Sequence, residues 1–190
     1  MSIEIEKKYR LSREQREAVL LRLPQIGSQF ASEKFEENII YEGHSLDTTR
    51  TVLRLRRVGN DAILTYKERF PGPSAIKHQR EDETQVADPE AMEGILDALG
   101  FRPALVYEKR RQSWRLGEAE IVIDELPFGL YMEIEGAERE IETIEITLAI
   151  PELAAEESTY PELTRKHGTR RGEVIEARFE EGERGKRGTG

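Results

Sequence analysis

Charged and apolar residues alternate along several short segments of the chain, and this alternation limits the folds that the chain can adopt. In the opening stretch IEIEKKYRL, residues 3–11, the apolar side chains share one face at a two-residue period. Apart from Lys7, the charged side chains fall on the opposite face, and they are Glu4, Glu6, Lys8 and Arg10. This pattern is typical of an antiparallel strand whose apolar face covers a core and whose charged face meets water.

Like charges recur two residues apart in the later strand-like segments. The pairs are Arg54 with Arg56, Glu81 with Glu83, Lys109 with Arg111 and Glu133 with Glu135. Lys67 and Asp124 lie singly in two further segments of the same kind. Strands that face solvent usually mix the two signs, because neighbouring like charges repel. The sorted signs therefore indicate a charged inner surface, although an ordinary solvated sheet explains the pattern equally well.

Turn and capping signals place helices between these strands. Strands are expected at residues 3–11, 35–42, 51–58, 62–69, 77–86, 104–116, 120–126 and 130–136, with a loop at residues 70–74. A capping box of Ser12 and Gln15 begins a helix that Pro24 should end, and a second helix runs from Pro89 to Gly100. A short helix is expected at residues 160–166, and residues 138–150 fit both periods, with a helix favoured. The pattern predicts an α+β domain with a closed or strongly curved sheet.

Composition fits one domain. A chain of 190 residues can bury one core, and residues 1–178 are expected to form it, followed by a disordered tail at residues 179–190. The net charge of −9 argues against general nucleic-acid binding. The sequence has no cysteine, which excludes disulfides and thiolate metal sites, and it has no apolar run long enough to cross a membrane. A cytoplasmic monomer or homodimer is expected.

A closed barrel could turn these charges inward around a water-filled passage. Unpaired buried charges would cost several kcal/mol each, so seven acids and six bases in one passage require a charged ligand. Arginine forks and lysine ammonium groups suit a polyphosphate. Carboxylates in the same passage suit Mg²⁺ or Mn²⁺, which are hard cations that bridge protein acids and phosphate oxygens. The expected ligands are therefore a small-molecule phosphate chain and a divalent ion.

The ordered set of charged residues resembles the CYTH superfamily, the triphosphate tunnel metalloenzymes. Glu4, Glu6 and Lys8 match its ExExK signature, and the other charged positions follow in the family's order over roughly residues 1–136. The superfamily includes class IV adenylyl cyclases, thiamine triphosphatases and inorganic triphosphatases. The resemblance implies a closed eight-stranded antiparallel β-barrel with helices packed outside, whose lumen, the triphosphate tunnel, binds a triphosphate and one or two divalent ions.

The resemblance also implies roles for the lumen residues. Metal ligands would be Glu4, Glu6, Glu133 and Glu135, with Glu81, Glu83 and Asp124 lining the same side or orienting water. The phosphates would be held by Lys8, Arg54, Arg56, Lys67, Lys109 and Arg111. Lys67 with Tyr41 would activate the attacking water, although alternation through Ile40 places Tyr41 on the opposite face. Tyr160 resembles an aromatic residue that opens a late helical motif of the family.

Three functions are compatible with this resemblance. The first is a metal-dependent hydrolase of inorganic triphosphate, thiamine triphosphate or a nucleoside triphosphate. The second is a class IV adenylyl cyclase that converts ATP to cyclic AMP and pyrophosphate, which also requires a site for adenine. The third is a non-catalytic module that binds polyphosphate or nucleotide, and the retained acids argue against it. The hydrolase is the leading expectation.

Overall fold

The computed structural model describes residues 2–43, 46–71 and 76–184, which form strands β1–β11 and helices α1–α5. The strands are β1 Ser2–Leu11, β2 Gln29–Glu42, β3 Thr51–Val58, β4 Asp61–Arg69, β5 Lys77–Val86, β6 Arg102–Leu116, β7 Ala119–Leu126, β8 Gly129–Glu135, β9 Ala154–Ala155, β10 Thr169–Arg171 and β11 Val174–Ala177. The helices are α1 Arg13–Gln25, α2 Pro89–Ala98, α3 Glu138–Leu148, α4 Tyr160–His167 and α5 Glu181–Arg184. Residues 72–74 of the predicted loop lie outside the described residues.

Eight of the strands close into an antiparallel barrel. They pair in the order β6–β2–β3–β4–β5–β1–β8–β7, and β7 pairs back with β6. The predicted closed eight-stranded antiparallel barrel with helices outside is thereby confirmed. Strand β11 lies parallel to the edge of β6, β10 pairs with β11, and β9 pairs with β1. The sequence does not predict these three strands, because segments of two to four residues are too short to display an alternating pattern.

Strand β1 lies between β5 and β8, and beyond the end of β5 a further short strand pairs with the same edge of β1. Residues 2–6 pair with β5, and residues 6–11 pair with β8. Beyond the end of β5, β9 pairs with Tyr9 and Arg10. The next residue, Glu156, donates its backbone N–H to the carbonyl of Lys8 at 2.8 Å. This route brings the start of α4 to the lumen, which Tyr160 helps to line.

The helices form where capping and periodicity predict them. The Ser12 capping box begins α1, which continues one residue past Pro24 instead of ending at it. The segment that fitted both periods forms the helix α3, whose buried side chains Ile141 and Ile144 lie three residues apart on one face. Its apolar face packs on a core cluster shared with β1, α1, β7 and β8. The hydrophobic core therefore lies largely outside the barrel, which leaves the lumen to polar side chains.

The end of the packed domain lies close to the predicted boundary after residue 178. Phe179 is buried, and its ring lies 6.2 Å from that of Phe35. A single helical turn, α5, follows it. Residues 185–190 of the predicted disordered tail lie outside the described residues, and the division at residue 178 stays a prediction. Among the described residues, every helix is too short or too polar to cross a lipid bilayer.

Replacing Ile141 by alanine should lower the free energy of unfolding by about 2–5 kcal/mol, because the lost methyl and methylene groups leave a cavity in the core beneath α3. Urea denaturation followed by circular dichroism measures the change. Ile146→Ala is the matched control, since Ile146 lies on the same helix and is 79% exposed. The control should change the free energy by no more than about 0.5 kcal/mol. Equal effects of the two substitutions would contradict the packing of α3 on the barrel.

Candidate active site

All six bases predicted to bind phosphate line one cavity of about 300 Å³ inside the barrel, and they are Lys8, Arg54, Arg56, Lys67, Lys109 and Arg111. Six of the seven predicted acids line the same cavity, namely Glu4, Glu6, Glu81, Glu83, Glu133 and Glu135. The volume lies at the lower end of the range for small-molecule sites. The tertiary structure therefore brings together side chains from strands that are distant in sequence.

The bases and acids occupy different sides of the cavity. Two arginines of β3 and two bases of β6 flank the central strand β2, and we call this set the basic wall: Arg54, Arg56, Lys109 and Arg111. On the other side, β1 lies between β5 and β8, and its acids stand beside acids of those strands. We call this set the acidic wall: Glu4, Glu6, Glu81 and Glu135. The cavity thus presents opposite charges from facing strands.

Two acids connect the walls. Glu133 of β8 accepts a hydrogen bond from Arg111 at 2.6 Å and lies 3.3 Å from the ammonium of Lys8. Glu83 of β5 accepts from Arg56 at 3.2 Å and from Thr65 at 2.8 Å. These charge-assisted contacts give Arg111 and Arg56 an ionic partner within the protein, which holds their guanidinium groups in place.

Asp124 was predicted on the metal side of the tunnel, and the structure corrects that placement. Its side chain is 0% exposed and lies behind the basic wall. It accepts two hydrogen bonds from Arg111, at 2.7 and 2.5 Å, and one from the Tyr160 hydroxyl at 2.8 Å. The ammonium of Lys109 lies 3.3 Å away. The Asp124 oxygens are therefore engaged by Arg111, Lys109 and the Tyr160 hydroxyl, and its predicted role in metal binding stays a prediction.

Tyr41 was predicted to act with Lys67, and the structure places it on the outside of the barrel. It is 2% exposed and packs with Leu55 and Leu96 in the cluster beneath α2. The inward neighbour on β2 is Ile40, which belongs to the cluster that contains Tyr107 and Tyr160. Successive side chains of a strand point to opposite faces, so Tyr41 cannot face the lumen while Ile40 does.

Lys67 lies in the acidic wall and is held there by two carboxylates. Its ammonium donates to Glu4 at 2.6 Å and lies 3.2 Å from Glu81. Burial by itself would lower the pKa of Lys67, but the carboxylates of Glu4, Glu6 and Glu81 together outweigh it and the pKa is raised. Lys67 is therefore a permanent cation, which suits contact with a phosphate oxygen better than the acceptance of a proton from water.

Several lumen residues were missed from the sequence. Alternation on β5 would have found Lys77 and Gln79, which lie four and two residues before Glu81. Gln79 donates to Glu4 at 2.8 Å. Glu36 on β2 has no like-charged neighbour two positions away, and the like-charged neighbour of Glu120 is Glu118, which lies in the turn before β7. Tyr160, the first residue of α4, lies at the lumen, where its ring centroid is 3.9 Å from the ammonium of Lys8.

The acidic wall contains more negative charge than its bases compensate. Burial and the neighbouring carboxylate of Glu4 raise the pKa of Glu135 to about 7. Burial also raises the pKa of Glu81 to about 8, and Lys67 offsets only part of this rise while Glu4 adds to it. Groups of this kind favour a proton or a cation at neutral pH.

The acidic wall has the donor chemistry that Mg²⁺ and Mn²⁺ require, since it supplies hard carboxylate oxygens whose mutual repulsion a divalent ion would relieve. Glu4, Glu6, Glu81 and Glu135 are the side chains that could hold such an ion. In the ranges that the structure describes, no three acids already converge in ligand geometry. Binding would therefore require Glu4 to exchange part of its contact with Lys67 for the ion.

Comparison with known proteins assigns the chain to a family. The CYTH domain family model matches residues 2–169. The chain belongs to the CYTH family. It is 31% identical over 137 residues to a protein of Methanocaldococcus jannaschii named "Putative adenylate cyclase", and the match covers 70% of this chain and 76% of that protein.

Solved structures share the CYTH fold. A protein of Pyrococcus horikoshii OT3 superposes with a TM-score of 0.73 at 25% identity, covering 84% of this chain and 98% of that chain. A "Putative adenylyl cyclase" from Hippeastrum, described as having a dominant triphosphatase activity, superposes with a TM-score of 0.67 at 18% identity. That match covers 87% of this chain and 96% of the Hippeastrum chain. The second likeness concerns the fold alone.

The raised pKa of Glu135 predicts a pH-dependent stability. Its folded-state pKa of about 7 exceeds the ordinary value of 4.5, so the folded protein binds this proton more tightly than the unfolded chain does. The free energy of unfolding should therefore fall as pH rises from about 4.5 to about 7. Glu135→Gln lacks this loss, and its stability relative to the parent should increase between pH 5 and pH 8.

Urea denaturation in EDTA at the two pH values measures this difference. Glu142→Gln on the exposed side of α3 is the matched control, and its stability relative to the parent should be the same at both pH values. If Glu135→Gln behaved like the control, the pKa of Glu135 would not be raised by its surroundings in the acidic wall.

Proposed function

We propose that the protein hydrolyses a linear triphosphate, with inorganic triphosphate, thiamine triphosphate or a nucleoside triphosphate as substrate, in a reaction that depends on Mg²⁺ or Mn²⁺. The proposal rests on one observation, which is that a basic wall and an acidic wall face each other across one cavity. A polyanion and a divalent cation that share oxygen atoms match those two surfaces. An ordinary solvated sheet would expose its charges to bulk water on an open face.

The basic wall would bind the phosphate groups. Arg54 and Arg56 present planar guanidinium groups from β3, and Lys109 and Arg111 lie on β6, on the other side of β2. Asp124 and Glu133 already hold Arg111 in place, so the guanidinium does not have to be ordered when substrate arrives. Phosphoryl transfer depends mainly on positioning and charge neutralisation, which preorganised cations supply.

The acidic wall would hold the divalent ion through Glu4, Glu6 and Glu135, with Glu81 nearby. A bound ion would neutralise charge on the phosphate oxygens and orient water for attack. Lys67 lies between Glu4 and Glu81 and could contact the phosphate from this side. Lys8, between Glu133 and the ring of Tyr160, would do so from the α4 end of the lumen.

An adenylyl cyclase is the second candidate, and the 31% identical M. jannaschii protein of that name favours it. Both enzymes would use the same phosphate and metal contacts. They differ in the nucleophile, which is water in the hydrolase and the ribose 3′-hydroxyl in the cyclase. The cyclase also needs a surface for adenine. A non-catalytic binding module would keep the basic wall but would have no use for the acidic wall.

The products distinguish the three functions. Purified protein is incubated separately with ATP, with thiamine triphosphate and with tripolyphosphate, in the presence of Mg²⁺ or Mn²⁺. We expect orthophosphate from tripolyphosphate and no cyclic AMP from ATP. Cyclic AMP with pyrophosphate would identify a cyclase and overturn the hydrolase. Binding of tripolyphosphate without any product under either metal would identify a binding module.

Replacing both Glu4 and Glu6 by glutamine should abolish metal-dependent turnover while preserving phosphate binding. The substitution keeps the shapes of the side chains but removes the charge that would hold the ion. We expect kcat to fall by at least about 100-fold, which corresponds to about 2.7 kcal/mol.

Tripolyphosphate binding by calorimetry in EDTA should stay within a few-fold of the parent, because the basic wall is unchanged. Glu152→Gln, at an exposed position outside the barrel, is the control and should leave both quantities unchanged. If the double variant turned over triphosphate at the parental rate, these two carboxylates would not be metal ligands.

A further inference from the structure

Strand β2 runs through the middle of the basic wall and carries an acid there. It pairs with β3 on one side and β6 on the other. In register, Glu36 lies directly opposite Lys109, and two residues further on Asn38 lies opposite Arg56 and Tyr107. Glu36 and Asn38 therefore share the inward face of β2 between two columns of bases. No part of the proposed chemistry uses this carboxylate.

Glu36 is buried and poorly satisfied by hydrogen bonds. Its side chain is 3% exposed, and its closest cation is Lys109, whose ammonium lies 3.4 Å away. Within the described residues, its Oε2 atom has no hydrogen-bond partner. A carboxylate held for structural support normally accepts several hydrogen bonds when it is buried. The charge of Glu36 is instead stabilised by the combined positive charge of the bases around it.

Four bases keep Glu36 ionised. Burial alone would raise the pKa of its carboxyl group, but Lys109, Arg111, Arg56 and Arg54 lower that pKa to about 2. These four residues are the whole of the basic wall. At neutral pH the wall therefore already contains one fixed negative charge before any phosphate enters, and that charge is part of the protein.

We propose that Glu36 is an internal counter-anion of the basic wall, which stabilises the ligand-free barrel and weakens the binding of the phosphate chain. The inference rests on the proposed function, because it assumes that phosphate binds at this wall. In the ligand-free protein, Glu36 offsets the repulsion among four converging bases. When phosphate is bound, the same carboxylate repels it, so the binding is weaker and release of the product phosphate is faster.

A purely positioning role for Glu36 predicts the opposite change in affinity. If Glu36 served to hold Lys109 in place, its removal would misplace that ammonium and weaken phosphate binding. Lys109 has a second carboxylate partner, however, since Asp124 lies 3.3 Å from it and is itself fixed by Arg111 and Tyr160. Lys109 therefore keeps an anchor when Glu36 loses its charge, and the electrostatic effect on phosphate should dominate.

The variant Glu36→Gln tests the proposal, because it keeps the size of the side chain and removes its charge. Calorimetry with tripolyphosphate in EDTA measures affinity independently of turnover. We expect binding to be tighter than in the parent by about fivefold or more at low ionic strength, and the difference should shrink as salt is added. The melting temperature without ligand should fall by several degrees, because the bases then repel one another.

Two further variants serve as controls. Glu36→Asp keeps the charge and should keep affinity within about twofold of the parent. Glu37→Gln removes a neighbouring charge from the outer face of β2, where Glu37 pairs with Arg178, and should not change tripolyphosphate affinity. The combination of lower stability with higher affinity is the signature of a counter-anion, since damage to the structure would lower both.

The outcomes separate this inference from the proposed function. Unchanged or weaker binding by Glu36→Gln, with a parent that binds tripolyphosphate, would overturn the counter-anion and leave the proposed function standing. A parent that does not bind tripolyphosphate would overturn both. If Glu36→Gln folds only when tripolyphosphate is supplied, the added anion replaces the missing one and the inference holds. Failure to fold even with saturating tripolyphosphate would overturn it.

Discussion

The structure depends on the mutual compensation of charges inside a closed barrel. The clearest example is Asp124, which is fully buried and meets Arg111 through two hydrogen bonds. Lys109 and the Tyr160 hydroxyl reach the same carboxylate. A buried ion pair offers little net stability, whereas a lone buried ion is very costly. The lumen can therefore hold many ionisable side chains only because strands distant in sequence bring opposite charges together.

The charges inside the lumen compensate one another only in part, and the remaining repulsion suits the lumen to a charged ligand. On the acidic wall, burial raises the pKa values of Glu81 and Glu135, and the neighbouring carboxylate of Glu4 adds to the rise. On the basic wall, burial and the neighbouring Arg111 lower the pKa of Lys109, although Glu36 and Asp124 lie beside it. In the proposed function, a divalent cation would relieve the repulsion on the first wall and a phosphate chain that on the second.

The arrangement of the outer layer keeps the lumen polar. Apolar faces of β1, β7 and β8 pack outward against α1 and α3, and those of β2, β3 and β4 pack outward against α2. These strands thus place most of their apolar residues outside, which leaves their inward positions largely to polar side chains. Beyond the end of β5, β9 pairs with β1, and Tyr160 at the start of α4 brings an aromatic ring to the lumen beside Lys8.

Much of the site could be predicted because a two-residue period decides which side chains share a face. Arg54 with Arg56, and Glu133 with Glu135, were assigned to one surface on that basis, and all four line the cavity. The same period argued against Tyr41, which faces outward as alternation required. Lys77 and Gln79 satisfy the same rule, since they lie four and two residues before Glu81 on β5.

By itself, the sequence determined the alternation of each strand and which charged residues share a face, and its resemblance to the CYTH superfamily implied the closed barrel around them. Only the tertiary structure decided which charged side chains pair with one another. That pairing depends on strand order and register, and the sequence of one strand does not specify which residues of the neighbouring strand lie opposite it. The position of Asp124 behind Arg111 and that of Glu36 between two basic strands both follow from register. Alternation places a side chain inside the barrel, whereas its distance from another strand's side chain is fixed when the barrel closes.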